Sequence, residues 1–334
     1  VSVAVAVAHP NVALSKYWGK RDGEGNFPAV PSVSVTLSGL QTRTSVRFDD
    51  ALAGDTIVLD GAPAQPGPRA RVVELLDRVR AASHERRRAH VRSRNDFPTA
   101  SGLASSASGF AALALASVRA AGLGWSVERV SDLARRSSAS AARSLFGGFV
   151  ELEAGRPGAP ADTLLSARAI APADHLPLVV LVCVATEAAK DVGSTDGMRA
   201  TMARSPYAQA WLDQAPRLHA RLRDALIARD FASVGELAEA SCLAMHASAI
   251  AAGVTYWNGA TLSALAAIRA LRAAGVAVFA SIDAGPHVKA LTHAADAARA
   301  LSALRDVPGI TRIVEARPGE GASLVHEDQA EARP

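Results

Sequence analysis

The sequence predicts an α+β fold, and three features carry that prediction. Short runs of alternating apolar and small or polar residues mark strands, most clearly at 1–8, 32–37 and 42–48. Alanine-rich stretches with a helical period mark long helices at about 206–229, 231–251 and 258–274. The two kinds of segment mix without the regular βαβ repeat that a doubly wound parallel sheet requires.

The elements follow in order. Valines at 1, 3, 5 and 7 alternate with small residues, a strand pattern that ends at His9-Pro10 and lacks the basic start and cleavage site of a secretory leader. Gly23 and Gly25 mark a turn, and 62–68 reads as a Pro/Gly loop before the helical spacing of Val72, Val73, Leu75, Leu76 and Val79. Val91 belongs to a short strand that leads to the segment 95–110. That segment joins turn residues to a run of small ones and opens the helix-forming stretch at 111–116. Small residues ahead of a helix N-terminus suit a phosphate cradle, and they equally suit a serine-capped helix after a flexible loop. Ser126 is placed to cap a helix through Val127, Val130, Leu133 and Ala134. The apolar run 176–184 reads as a buried strand that opens a second half, giving parts 1–175 and 176–334; a strand at 276–282 ends at Asp283.

At 334 residues, with 49% apolar and 20% charged, the chain can bury a large core and carries no apolar run of membrane-spanning length. Cys183 and Cys242 make neither a disulfide framework nor a metal spacing, so a cytoplasmic protein is expected. The net charge of +4 includes a basic run at 69–94, but with 4% aromatic residues it reads as a solvated helix face and not as a nucleic-acid surface. No membrane or nucleic-acid partner is expected.

Four polar clusters stand out. Lys16-Tyr17-Trp18-Gly19-Lys20 puts two ammonium groups and a phenol within five residues, a set suited to phosphate oxygens or to a solvated turn. Ser138, Ser140 and Arg143 suit a carboxylate or phosphate, unless they form a serine-rich helix end with its arginine in water. Lys190 to Met198, including Ser194, reads as a polar loop after a strand. Asp283, between Ile282 and Ala284-Gly285-Pro286, is either a partly desolvated carboxylate of tunable basicity or a turn cap. Cys183, Met245 and His246 read as core.

Taken in order, these segments resemble the GHMP small-molecule kinase superfamily and, within it, the mevalonate diphosphate decarboxylases. Asn11–Lys20 resembles N-I-A-x-x-K-Y-W-G-K, Ser32–Leu37 resembles S-x-S-x-T-L and Pro98–Ala107 resembles P-T-A-x-G-L-A-S-S-A. Ser138–Ser144 resembles S-x-S-A-x-R-S, Lys190–Met198 resembles K-x-x-S-S-T-x-G-M and Ile282–Lys289 resembles D-A-G-P-N-x-K. The resemblance implies a GHMP kinase fold, with a part like ribosomal protein S5 domain 2, a ferredoxin-like second part and one deep cleft between them. It implies ATP-dependent conversion of (R)-5-diphosphomevalonate to isopentenyl diphosphate, with ATP and Mg2+ as cofactors, in a homodimer.

Carried over residue by residue, the resemblance gives catalytic roles to Asp283, Arg143, Lys16 and Ser194. Tyr17, Lys20, Ser138, Ser140 and Arg69 would bind the substrate. Ser101, Gly102, Ala104, Ser105 and Ser106 would hold the nucleotide, with Ser106 also meeting the metal. Ser137, Ala139, Gly193 and His287 depart from the family pattern and bear on nucleotide affinity and substrate choice. The alternatives are a relative acting on a less phosphorylated mevalonate, such as a phosphomevalonate decarboxylase or a mevalonate 3-kinase, and a non-catalytic ligand sensor.

Overall fold

The structure is a computed structural model that describes residues 3–97, 105–186 and 191–326. The chain opens with β1 (Val3–Ala8), β2 (Asn11–Ala13), β3 (Ser32–Thr36), β4 (Thr42–Asp49), β5 (Thr56–Leu59) and β6 (Ala62–Pro63). It continues through α1 (Pro66–Ser83), β7 (Arg88–Asn95), α2 (Ser105–Ala120), α3 (Val127–Ser137), the 3-10 segment Ala139–Leu145, β8 (Phe149–Leu152) and β9 (Arg168–Ala171). The remainder is β10 (Leu178–Val184), α4 (Ser194–Arg204), α5 (Ala208–Ile227), α6 (Phe231–Ala251), α7 (Gly259–Ala273), β11 (Val278–Ile282), β12 (Val288–His293), α8 (Ala297–Arg305), β13 (Arg312–Ala316) and β14 (Ser323–Val325).

Three sheets result. The first has the order β14-β1-β4-β7-β5-β6, and its inner face receives α2. Small residues govern that contact: Ala4, Ala6 and Ala8 of β1 meet Ala111, Ala112, Ala114 and Ala116, all buried, so the helix lies close on the strand. The second sheet is β2-β3-β8-β9. The third, β11-β12-β10-β13, is antiparallel in every pair, and this order with helices before β11 and before β13 is the ferredoxin-like arrangement expected for the second part. One core joins the second and third sheets: Val12, Leu14, Val33 and Val35 pack in the same cluster as Val180, Val182, Leu218 and Leu222. No helix among the described residues is long and apolar enough to cross a membrane.

Most expected elements are present, with α6 and α7 within a residue of their expected ends and Ser126 at the N-cap of α3. Three regions differ. The Pro/Gly stretch 62–68 holds β6 and the first turn of α1, because Pro66 sits where a helix has no use for its N–H. The polar segment at 190–198 is helical from Ser194, with Gly193 as its cap. The basic run is only partly a helix face: residues 88–95 form β7, and Arg80 is buried against Asp55 and Asp77.

A buried polar relay crosses the contact between the two parts. Ser15 accepts the Val33 N–H at 2.7 Å and lies 3.1 Å from His219 Nδ1, while His219 Nε2 lies 2.9 Å from Glu151 Oε1. Arg168 and Arg223 complete the shell of Glu151, which is 1% exposed. Burial pushes the Glu151 carboxyl up, but hydrogen bonds from His219 and Arg168 outweigh it and hold the pKa at about 2. A depressed carboxylate contributes stability above its unfolded pKa and loses it as the pH falls toward 2. Glu151→Gln is therefore expected to lower stability by about 1.5–3 kcal/mol at pH 7. It should also flatten the loss of stability between about pH 5 and 2, as read from urea unfolding across that range.

Candidate active site

A cleft of about 1200 Å³ lies where the three sheets and their helices meet. Its floor is the end of β11. The β11–β12 pairing sets Ser281 directly opposite Lys289, and Asp283 follows two residues after Ser281. Lys16, in the turn after β2, reaches this hairpin from the other part of the chain. Its ammonium donates to Asp283 Oδ1 at 2.7 Å, Ser281 Oγ at 2.7 Å and the Ala13 carbonyl at 3.0 Å. Lys289 stands 3.2 Å from the other oxygen, Asp283 Oδ2. Burial would raise the Asp283 carboxyl, but Lys16 and Lys289 overcome it and hold the group well below the usual carboxylate range. Asp283 is thus ionised, and with its side chain 27% exposed it faces the cleft.

Arg143 does not point into water. The 3-10 segment turns it inward, where it is 2% exposed and donates to Ser34 Oγ (2.9 Å), Ser32 Oγ (2.8 Å) and Asn11 Oδ1 (3.3 Å). Burial pulls its pKa down to about 10, with Asp283 and Tyr17 opposing, so it stays a cation at neutral pH. Ser138 and Ser140 lie beside it with their hydroxyls 3.1 Å apart, facing the same cleft. The serines at 32 and 34 and Asn11 hold this arginine, and sequence reading missed them as site residues. Their signal is two serines on one face of an otherwise apolar strand, both fully buried.

Tyr17 and Lys20 also reach the cleft. The intervening Gly19 has φ +111°, a conformation that lets the chain reverse between the buried Trp18 and Lys20. Burial raises the Tyr17 phenol, so it remains a neutral donor, and its Oη is buried without a hydrogen-bond partner among the described residues. Lys20 meets Thr195 Oγ1 at 3.2 Å, and desolvation together with Arg71 and Arg199 lowers its pKa. Three cations crowd one region, an arrangement that an anion relieves.

Ser194 lines the cleft as the first residue of α4, and Ser105 and Ser106 do so as the first residues of α2. Ser101, Gly102, Ala104 and Lys190 lie outside the described residues. Arg69 is not brought to the cleft. Its guanidinium donates to the Asp55 carbonyl at 2.9 Å, away from the cleft, whereas Arg71 lines the cleft and donates to the Ser137 carbonyl at 2.7 Å. Two helix residues turn the side chain by about 200°.

The departures from the family pattern are structurally mild. Ala139 packs among Ala142, Val150 and Leu152, and neither it nor Ser137 has positive φ, so no glycine is needed there. Gly193 has extended backbone (φ −63°, ψ 149°), which a serine would also adopt. His287 accepts the Ala185 N–H at 3.1 Å, and burial lowers its pKa to about 4, so it is neutral. Burial likewise lowers His246 to about 3 and raises the thiols Cys183 to about 12 and Cys242 to about 11. His246 and Cys183 are core groups, as read from the sequence, and Cys242 is buried as well. Met245 is 2% exposed and also touches the cleft.

A ferredoxin-like sheet joined to a second α+β unit, with helix N-termini and buried cations around one cleft, defines a GHMP-type phosphotransferase fold. Family comparison is more specific. Residues 8–163 match the diphosphomevalonate decarboxylase-like N-terminal domain, and residues 180–330 match the mevalonate 5-diphosphate decarboxylase C-terminal domain. The diphosphomevalonate decarboxylase of Candida albicans is 31% identical over 97% of this chain and 98% of its own. That of Eremothecium gossypii is 36% identical over 75% of this chain and 66% of its own. A solved complex designated MDDEF with MVAPP, AMPPCP and magnesium superposes with a TM-score of 0.89 at 37% identity, covering 97% of this chain and 99% of that one. The chain belongs to the diphosphomevalonate decarboxylase family.

The exchange of Arg71 for Arg69 is directly testable with inorganic diphosphate as the probe. Arg71→Ala should weaken its binding about 10-fold or more in calorimetric titration, the loss of one charged hydrogen bond. Arg69→Ala should leave the affinity unchanged.

Proposed function

We infer that this chain catalyses the ATP-dependent decarboxylation of (R)-5-diphosphomevalonate to isopentenyl diphosphate, releasing ADP, phosphate and CO2. One observation carries the reading most directly: an ionised carboxylate, Asp283, fixed by lysines on the cleft floor, with the buried cation Arg143 in the same cavity. The related complex with MVAPP, AMPPCP and magnesium supports it.

The roles follow from the geometry. Asp283 accepts a hydrogen bond from the tertiary C3 hydroxyl and aligns it for attack on the γ-phosphoryl group of ATP. Lys16 holds Asp283 and does not itself reach the substrate, since three acceptors already occupy its donors. Arg143 receives the C1 carboxylate, with Ser138 and Ser140 beside it. Lys20, Arg71 and the Tyr17 hydroxyl, which has no partner among the described residues, receive the diphosphate. Once C3 carries the phosphate, the C–O bond breaks with the electron pair leaving on phosphate. The C1–C2 bond electrons then form the new double bond as CO2 departs.

Ser105 and Ser106, with the first N–H groups of α2, present donors to the nucleotide phosphates, and that first turn carries no acidic residue to oppose them. The described residues contain no group of three or more His, Cys, Asp or Glu side chains able to hold a metal ion. That fits Mg2+ carried by the nucleotide, which keeps its waters and takes few protein oxygens, with Ser106 as the candidate. Bound there, Mg2+ neutralises phosphate charge. Ser194 belongs to the transferred-phosphate end, and Ser101, Gly102 and Ala104, outside the described residues, enter the proposal as nucleotide contacts through the family resemblance alone. The division at 175/176, a homodimer and a cytoplasmic location are part of this proposal; the two family matches support the division, and the family resemblance supports the dimer.

Incubation with MgATP and 5-diphosphomevalonate should release ADP and CO2 in equal amounts. ADP without CO2 sinks the decarboxylase reading, and faster turnover of the monophosphate moves it to that substrate. Asp283→Asn is expected to cut kcat by about 10²–10⁴-fold while ATP affinity holds. For Lys20→Ala the effect should fall on the substrate KM, about 10-fold or more, with kcat near the parent value. A pure kcat defect would contradict its binding role.

A further inference from the structure

The hydrogen-bond inventory beneath Asp283 leaves one cation unexplained. Lys289 is 2% exposed and does not line the cleft, so it lies behind the carboxylate as seen by a ligand. Strand register puts it there: β12 places it opposite Ser281, on the same face of the hairpin. The polar groups around it have other partners, although His246 Nδ1 and His287 Nε2 each remain without a hydrogen bond among the described residues. Ser281 accepts from Lys16 and donates to the Ala13 carbonyl at 3.0 Å. From α6, the Cys242 sulfur accepts the Ile282 N–H at 3.1 Å, and His246 Nε2 meets the Ile282 carbonyl at 3.2 Å. From its own loop, His287 is engaged with Ala185. The ion pair to Asp283 Oδ2 at 3.2 Å is what remains, and among the described residues the Lys289 ammonium has no well-aligned hydrogen bond besides. A buried ammonium with so little compensation is costly, and replacing it by an apolar side chain would relieve that cost.

We propose that Lys289 is a positioning residue for the reaction: it grips the Asp283 oxygen that Lys16 leaves free, so that the carboxylate meets the C3 hydroxyl in one orientation and one charge state. Lys16 alone fixes only Oδ1 and leaves the carboxylate free to rotate about the Cβ–Cγ bond. A second ammonium on Oδ2 removes that freedom. An ionised carboxylate has about four lone-pair sites, so two lysines still leave an acceptor for the substrate. The groups facing Asp283 from its surroundings are Lys16, Lys289, Arg143, His246 and Cys242. His246 and Cys242 stay neutral near pH 7, so the charge held on Asp283 depends on the lysines and the arginine. Lys289 in turn feels the neutral His287 and, beyond it, Arg312. This inference rests on the proposed function for its catalytic meaning and on the ion pair alone for its physical content.

Two measurements separate those layers. In a chain labelled at the aspartate Cγ with 13C, Asp283→Asn removes one resonance and so assigns it. Lys289→Met, close in length and uncharged, should move the titration of that resonance upward by about 1 to 3 pH, while Lys289→Arg should hold most of it down. In turnover assays, Lys289→Met should lower kcat about 10- to 100-fold, with the KM for ATP and for 5-diphosphomevalonate within twofold of the parent. Lys289→Arg should recover much of the loss. An unchanged Asp283 titration in Lys289→Met overturns the proposal, as does a kcat within twofold of the parent. A rise of either KM in step with the fall in kcat overturns it too, because Lys289 would then be a binding or packing residue. A parent chain inactive on 5-diphosphomevalonate overturns the proposed function instead, and the titration alone then decides whether Lys289 holds Asp283.

Discussion

The ion pair between Lys16 and Asp283 is the contact on which the rest of the cleft depends. It joins side chains 267 positions apart in sequence and closes the floor between the two parts of the chain. A buried pair repays its desolvation only when the geometry is good and the spare donors are satisfied. Here Lys16 uses all three donors, on Asp283, on Ser281 and on the Ala13 carbonyl. Each partner is itself fixed: Ser281 by strand register, Ala13 by the β2–β3 pairing and the Lys16 backbone N–H by Ser241 Oγ of α6 at 2.9 Å. Moving any of these elements leaves a buried ammonium unpaired.

Charge balance explains what the cleft can hold. At its deep end Lys16 and Arg143 lie around one carboxylate with Lys289 behind it, and toward the mouth it adds Lys20 and Arg71, with Arg199 acting on Lys20 from outside. Neutral hydroxyls satisfy the Arg143 hydrogen bonds without cancelling its charge, because Ser32, Ser34 and Asn11 offer dipoles only. A protein built for stability alone would place a carboxylate there. Leaving the cation hydrogen-bonded to neutral groups alone keeps a position for a ligand carboxylate, and the crowding of cations around Lys20 does the same for a polyanionic group.

How much of this was legible in the sequence depends on whether chemistry or geometry carried the signal. Lys16, Arg143 and Asp283 could be named because charged residues beside glycines or at the end of an apolar run are hard to explain by packing. The alanine-rich helices were legible because their period is long and uninterrupted. The choice between Arg69 and Arg71 was not, since both lie on α1 and only its rotation against the cleft separates them. Ser32 and Ser34 looked like the polar face of a half-exposed strand, yet that face is covered by the 3-10 segment bearing Arg143. Lys289 is legible only as the last residue of the Ile282–Lys289 segment, for the same reason: alternation shows which face a residue shares, not what lies against it. The helical start at Pro66 was hidden because a first-turn proline and a loop proline look alike.

The low proton affinity of Asp283 constrains the chemistry proposed for it. Two ammonium groups make it a weak base, so it is badly placed to pull a proton from a tertiary alcohol ahead of phosphoryl transfer. Phosphoryl transfer through a loose transition state asks little of base strength, because bonding to the nucleophile is slight when the bond to the leaving group breaks. What such a reaction needs is an acceptor that holds the hydroxyl in line and takes the proton late, as the oxygen becomes acidic on phosphorylation. A carboxylate whose oxygens are each held by a lysine meets that need through fixed position. The same two cations that weaken it as a base immobilise it as a guide, so at this site orientation takes precedence over basicity.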